Sequence, residues 1–166
     1  MRSAWDPWLD LSTRRHIVFE LDRIAKIGGG AIYARRGDHA AIVIDPDLSA
    51  RDQRAALAHE LVHDERGGIA DHAGAPGTWT AVVRREERTV DAIAARRLVP
   101  LDQLEEWVRR RAAVDPILLV DVADEFDVPD RVALVAVDEL RGRPTAPGRA
   151  RAPRQHPQEP WWSHEQ

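Results

Sequence analysis

No cysteine occurs among the 166 residues, which excludes disulfide staples, thiolate zinc sites, iron–sulfur clusters and cysteine nucleophiles. Any metal must sit on His, Asp or Glu. Lysine is reduced to Lys26, the other basic residues being arginines, and 24 basic against 28 acidic residues leave a charge of −4. No positive excess marks the chain as a binder of nucleic-acid phosphates, so direct DNA or RNA contact is not expected. No run of 18 apolar residues occurs, and the first eleven residues hold no signal-peptide core. The expectation is a cytoplasmic protein with no membrane partner. What is present, 43% hydrophobic residues in a chain of this length, suffices for one domain with its own core and a short appendage.

The expected fold is α+β, a small N-terminal antiparallel sheet packed on a helical core. Residues 16–21 are β-branched and aromatic enough for a strand, Gly28-Gly29-Gly30 reads as a turn, and 31–35 and 39–44 form a hairpin around Arg36-Gly37-Asp38. Asp45-Pro46-Asp47 ends the sheet, and Ser49 or Asp47 caps a helix over 50–66 that Gly67-Gly68 terminates. A second long helix covers 80–98 before Pro100, and shorter ones cover 101–112, 116–126 and 130–141. From Gly142 onward five of the 11 prolines and four arginines replace aliphatic residues. The expectation is therefore a domain over 1–141 and a disordered tail over 142–166.

The first long helix carries His59-Glu60-Leu61-Val62-His63, an HExxH pattern. Histidines four apart share one helix face, so both imidazoles reach one ion at the roughly 2.0 to 2.1 Å that zinc requires. Glu60 lies off that line, free to serve as general base toward a water beside the ion. Ala55, Ala56 and Val62 share the His face while Leu57 and Leu61 lie opposite, so the helix is apolar nearly all round and should be buried. On the next long helix Val83, Glu87, Val90, Asp91, Ala94 and Leu98 form one stripe in which two carboxylates interrupt an apolar face. Buried carboxylates need a partner. Either an arginine supplies it, or Glu87 is the third ligand of the ion and Asp91 accepts the outer N–H of a ligating histidine.

The HELVH motif followed by Arg85-Glu86-Glu87-Arg88-Thr89-Val90-Asp91 and Ala94-Ala95-Arg96-Arg97-Leu98-Val99-Pro100 resembles the ImmA/IrrE-type metallopeptidases. Those read HExxH, then E-x-x-x-N running into A-A-x-L-L-M-P. The resemblance covers about 42–100 and implies a zincin fold, a ligand glutamate at Glu87 and the family's asparagine position at Asp91. Here Asp replaces that Asn and Arg97 replaces an apolar residue; neither change removes a ligand. The resemblance further implies one Zn²⁺, with Mn²⁺ an alternative on the same ligands. It implies a zinc endopeptidase that cleaves a protein substrate, a helix-turn-helix repressor, in phage, mobile-element or stress regulation.

Candidate oxyanion stabilisers are His72, in the loop between the two site helices, with Tyr33 and His39 of the hairpin. All three also read as ordinary loop or strand residues. The strand 39–44 is a candidate edge for an extended substrate. Residues 122–135 are similar to a helix-turn-helix pair, but Asp130, Asp138 and Glu139 make the second helix acidic, which favours packing or partner docking over DNA. Two other classes remain: a regulatory protein that docks on a repressor without cutting it, and a DNA-binding module. Trp107 reads as core at helical spacing from Leu104, and Trp5, Trp8, Trp161 and Trp162 either cover the core or meet a partner.

Overall fold

A computed structural model describes residues 5–24, 30–67, 77–112 and 115–143 of the chain, with the side chains of 77–80 left aside. The described elements run α1 (Pro7–Thr13), β1 (Ile17–Leu21), β2 (Ala31–Arg36), β3 (His39–Ile44), α2 (Ala50–Glu65), α3 (Gly77–Leu98), α4 (Leu101–Arg111), α5 (Leu119–Phe126) and α6 (Asp130–Gly142). The architecture is mixed α and β, with a three-stranded N-terminal sheet followed by helices. Among the described residues no helix is long and apolar enough to cross a membrane. Most of the tail expected over 142–166 lies outside the described residues.

The sheet differs from the antiparallel expectation. Its order is β1-β3-β2, with β2 and β3 antiparallel but β1 and β3 parallel. The physical reason is the composition of β3, whose Ala40, Ile42 and Ile44 are buried on one face. The most apolar strand takes the centre, and the more exposed β1 and β2 take the edges. Leu21 and Ala31 both pair with Ile44, so the ends of β1 and β2 flank the same residue. The hairpin turns in two residues, Gly37 supplying the positive φ of 60° at the first central position. A central β3 also has no free edge, so the substrate-pairing edge expected at 39–44 is already occupied on both sides.

Helix α2 forms as its sequence dictates: Ser49 accepts a hydrogen bond from the Asp52 backbone N–H at the N-terminus, and Gly67 (φ 84°) follows its C-terminus. Its apolar residues divide between two cores. Ala56, Leu57 and Leu61 pack under the sheet with Ile42 and Ile44. Ala55, Ala58 and Val62 pack on the other side with Val90, Ala94 and Leu98 of α3 and with residues of α4, α5 and α6. Trp107 sits at the margin of that second core, edge-on to Phe126 at 6.4 Å.

Helix α1 was not expected. Asp6 caps it by accepting from the Trp8 N–H at 2.9 Å, and Pro7 occupies its first turn, where a missing N–H costs nothing. Trp5 packs against both cores and donates to Asp10 at 2.9 Å, whereas Trp8 stays partly exposed with its ring edge-on to Phe19.

The end of α2 is held by charge. Asp64, with only 4% of its side chain exposed, accepts from Arg14 at 3.0 Å, from His16 at 3.0 Å and from the Tyr33 hydroxyl at 3.1 Å. Burial alone would raise its pKa, but the hydrogen bonds of His16, Arg14 and Tyr33 outweigh it and hold the carboxyl below the usual range. Asp64→Ala leaves these donors facing a hole and should cost roughly 3 to 5 kcal/mol in urea unfolding. Because the folded-state pKa is depressed, Asp64's contribution is fully present above the unfolded value of about 4 and fades as pH falls through the folded one. The acid decline of wild-type stability should therefore be shallower in Asp64→Asn.

Candidate metal centre

His59 and His63 project from α2 and Glu87 from α3, and their side chains meet. The two imidazole Nε2 atoms lie 3.0 Å apart. One Glu87 oxygen is 3.3 Å from His59 Nε2 and the other is 3.4 Å from His63 Nε2. A tetrahedral ion with ligand bonds of about 2.05 Å needs its ligand atoms roughly 3.3 Å from one another; one donor atom from each of His59, His63 and Glu87 lies within 4.8 Å of the other two, so a small side-chain adjustment brings the three to that spacing. Two nitrogens and an oxygen also form a donor set that suits zinc.

Asp91, one turn beyond Glu87, lies 3.0 Å from His59 Nδ1. A carboxylate only accepts, so Nδ1 carries the proton and the Nε2 lone pair of the neutral ring faces His63 and Glu87. The arrangement orients the ring for a cation at that point. The two carboxylates are less enclosed than the stripe on α3 suggested: Glu87 keeps 43% and Asp91 52% of its side-chain exposure. Buried Val90, Ala94 and Leu98 form the inward line of α3, and the carboxylates stand at its solvent margin. The expectation that burial forces a counter-charge on them is therefore corrected; convergence, and not burial, is what distinguishes them.

Glu60 is buried and lines the same cavity as His59, Glu87 and Asp91. Among the described residues no hydrogen bond holds its carboxylate. Burial pushes its pKa up to about 7, with the Glu87 charge adding to the rise and His59 opposing it. Burial would lower the His59 pKa, yet the Asp91 hydrogen bond and the charges of Glu60, Asp91 and Glu87 raise it overall. His63 is lowered, by burial and then by the charge of His59.

Of the other candidates, Tyr33 lies beside the site but faces elsewhere. Its ring stacks on His63 at 6.4 Å while its hydroxyl is committed to Asp64. His39 pairs with Arg36 at the opposite end of β3 from Ile44, whose partner Ala31 lines the cavity. Five residues of strand, roughly 17 Å, separate those ends. His72 lies outside the described residues.

Several residues that build the site were not singled out in the sequence. Arg66, just past α2, grips Glu86 in a bidentate pair, fixing the end of α2 against α3 beside Glu87. The cavity, about 300 Å³, continues from the polar cluster to Val132 and Val135 of α6. Their only sequence signal was the apolar face of a helix resembling the second half of a helix-turn-helix. That helix buries Ala133 and Ala136 in the second core and its Glu139 pairs with Arg96 of α3, so α5 and α6 share a core with the two site helices.

Compared with protein-family models, with curated proteins and with solved structures, the chain finds no match in any of the three. The chemistry of the site is therefore read from its own residues.

In metal-free protein, the His59 ring should titrate above the usual histidine value of about 6.5 and His63 below it. Asp91→Ala should bring the His59 midpoint down. Histidine ring resonances followed by NMR across pH 4 to 9 give both midpoints; an unchanged His59 midpoint in Asp91→Ala would contradict the assignment.

Proposed function

We propose that this chain is a zinc-dependent endopeptidase in which His59, His63 and Glu87 hold the ion, Mn²⁺ being an alternative, and Glu60 is the general base. The observation that carries the reading is the convergence of two imidazole nitrogens and a carboxylate from separate helices within 3.0 to 3.4 Å, beside a buried carboxylate with no hydrogen-bond partner among the described residues. A structural ion-pair cluster would explain Glu87 but gives Glu60 no purpose.

When bound, a divalent ion supplies Lewis acidity to a substrate carbonyl and brings the pKa of an adjacent water toward about 7. Asp91 keeps the His59 Nε2 lone pair inward. Glu60 accepts the proton of the water that attacks the scissile carbonyl carbon and delivers it to the amide nitrogen as the C–N bond breaks. With no hydrogen bond to give up among the described residues, its carboxylate is placed to meet that proton. Strand β2, an edge of the sheet among the described residues and with Ala31 lining the cavity, supports pairing with an extended substrate backbone there, in place of the occupied β3 edge.

The resemblance of HELVH and the Glu87–Asp91 stretch to ImmA/IrrE-type metallopeptidases supports a helix-turn-helix repressor as the protein substrate and a regulatory role in the cytoplasm. Glu60→Gln keeps the proposed ligands and removes the base. On a candidate repressor it should lower the cleavage rate by roughly 10²- to 10⁴-fold while zinc content stays at the wild-type level. Wild-type protein that carries zinc and binds the repressor without cutting it would establish the docking alternative, and undiminished cleavage by Glu60→Gln would remove Glu60 from its role.

A further inference from the structure

The cavity beside the polar cluster exists because the side chains around it are small. Alanines from three elements converge on it: Ala31 of β2, Ala55 and Ala56 of α2 and Ala94 of α3. Protein interiors are packed to crystal-like density, and larger side chains at these positions would fill the space. Across from them stand Val132 and Val135, three apart on α6 and so on one face. Ala133 and Ala136 belong to the neighbouring face and are fully buried in the core. Val132 also packs against that core, so helix α6 presents apolar side chains both to the core and, through Val132 and Val135, to the cavity.

The spacing of this wall is fixed. Arg131, in the first turn of α6, bonds Asp52 in the first turn of α2 at 2.5 Å. Arg51 reaches Asp124 at 3.0 Å and Asp127 at 3.2 Å, and Arg54 donates to the Asp127 carbonyl at 3.1 Å. Asp127 itself takes the left-handed φ of 54° that ends α5 and turns the chain into α6. The valines thus stand at a set distance from the alanines, and the polar end of the same cavity is His59, Glu60, Glu87 and Asp91, the groups given to the ion and the attacking water in the reading above. A cavity with apolar walls that opens on a few convergent polar groups has the makeup of a side-chain pocket.

Resting on the peptidase reading above, we infer that this cavity receives one aliphatic side chain of the peptide substrate, of the size of valine, leucine or methionine, next to the scissile bond. Val132 and Val135 set its depth. A charged side chain would lose its hydration against the alanine and valine walls, and Arg131, which lines the cavity, is engaged by Asp52. Substrate preference then belongs to the C-terminal helices as much as to the metal-binding ones.

The test uses the full chain supplied with Zn²⁺ and a proteome-derived peptide library, with cleavage sites read by mass spectrometry. The same library is passed over immobilised Glu60→Gln protein and the retained peptides are sequenced. An aliphatic residue should be favoured about tenfold or more over charged ones at one position flanking the cut. Val135→Phe should shift that position toward Gly and Ala, with about a tenfold loss for Leu, and Val132→Ala should admit Phe. Val132→Ala only removes atoms from a half-buried site and serves if Val135→Phe does not fold. Cutting without aliphatic preference, or a preference that neither substitution moves, overturns the pocket and leaves the peptidase reading intact. Aliphatic enrichment among retained peptides without any cutting supports the pocket and overturns the peptidase reading. Neither cutting nor enrichment overturns both.

Discussion

Helix α2 has apolar side chains on two sides, and both sides are taken. Leu57 and Leu61 are fully buried under the sheet while Ala58 and Val62 are fully buried against the helical core. Each buried leucine contributes about 1.5 to 3 kcal/mol relative to exposure, so turning the helix by one residue would forfeit several such contributions at once. That penalty fixes the rotation of α2 about its axis. It thereby fixes where His59, Glu60 and His63 point, before any ion or substrate contributes.

Polar contacts then set the distance between α2 and its neighbours. Glu65 is shared by Arg14 and Arg97, Glu86 is gripped by Arg66, and Asp64 gathers Arg14, His16 and Tyr33 at the sheet side. These pairs surround the cluster of His59, His63 and Glu87 without entering it. Inside the cluster Glu87 and Asp91 bring like charge together beside the buried Glu60, an arrangement that a divalent cation offsets far better than a single protonated histidine. In the proposed function this is the cause of the site: packing aims the imidazoles, ion pairs hold α3 in place, and the ion takes up the charge.

Much of this was legible in the chain. HELVH on an all-round apolar stretch identified the central helix, and helical spacing on the next one singled out Glu87 and Asp91, which lie 3.3 and 3.0 Å from the His59 ring nitrogens. Local signals carried that far: Ser49 and Gly67 bound α2, and Arg36-Gly37-Asp38 marked the hairpin. The parallel pairing of β1 with β3 was not legible, because nothing local to Ile17–Leu21 says which strand it will meet. Helix α1 was too short for periodicity and rested on a single Asp6-Pro7 cap. The degree of exposure of Glu87 and Asp91, and the cavity shared by α2, α3 and α6, depend on how distant elements pack. Arginine pairs such as Arg66 with Glu86 have no sequence pattern to betray them.

The central claim is that His59, His63 and Glu87 bind one divalent ion together. Crystals of the zinc-supplemented protein, measured on both sides of the zinc absorption edge, test it most directly. The account predicts one anomalous peak per chain, bonded at about 2.0 to 2.2 Å to both Nε2 atoms and to a Glu87 oxygen. A zinc peak held by other residues, or none at this cluster at saturating zinc, would contradict it.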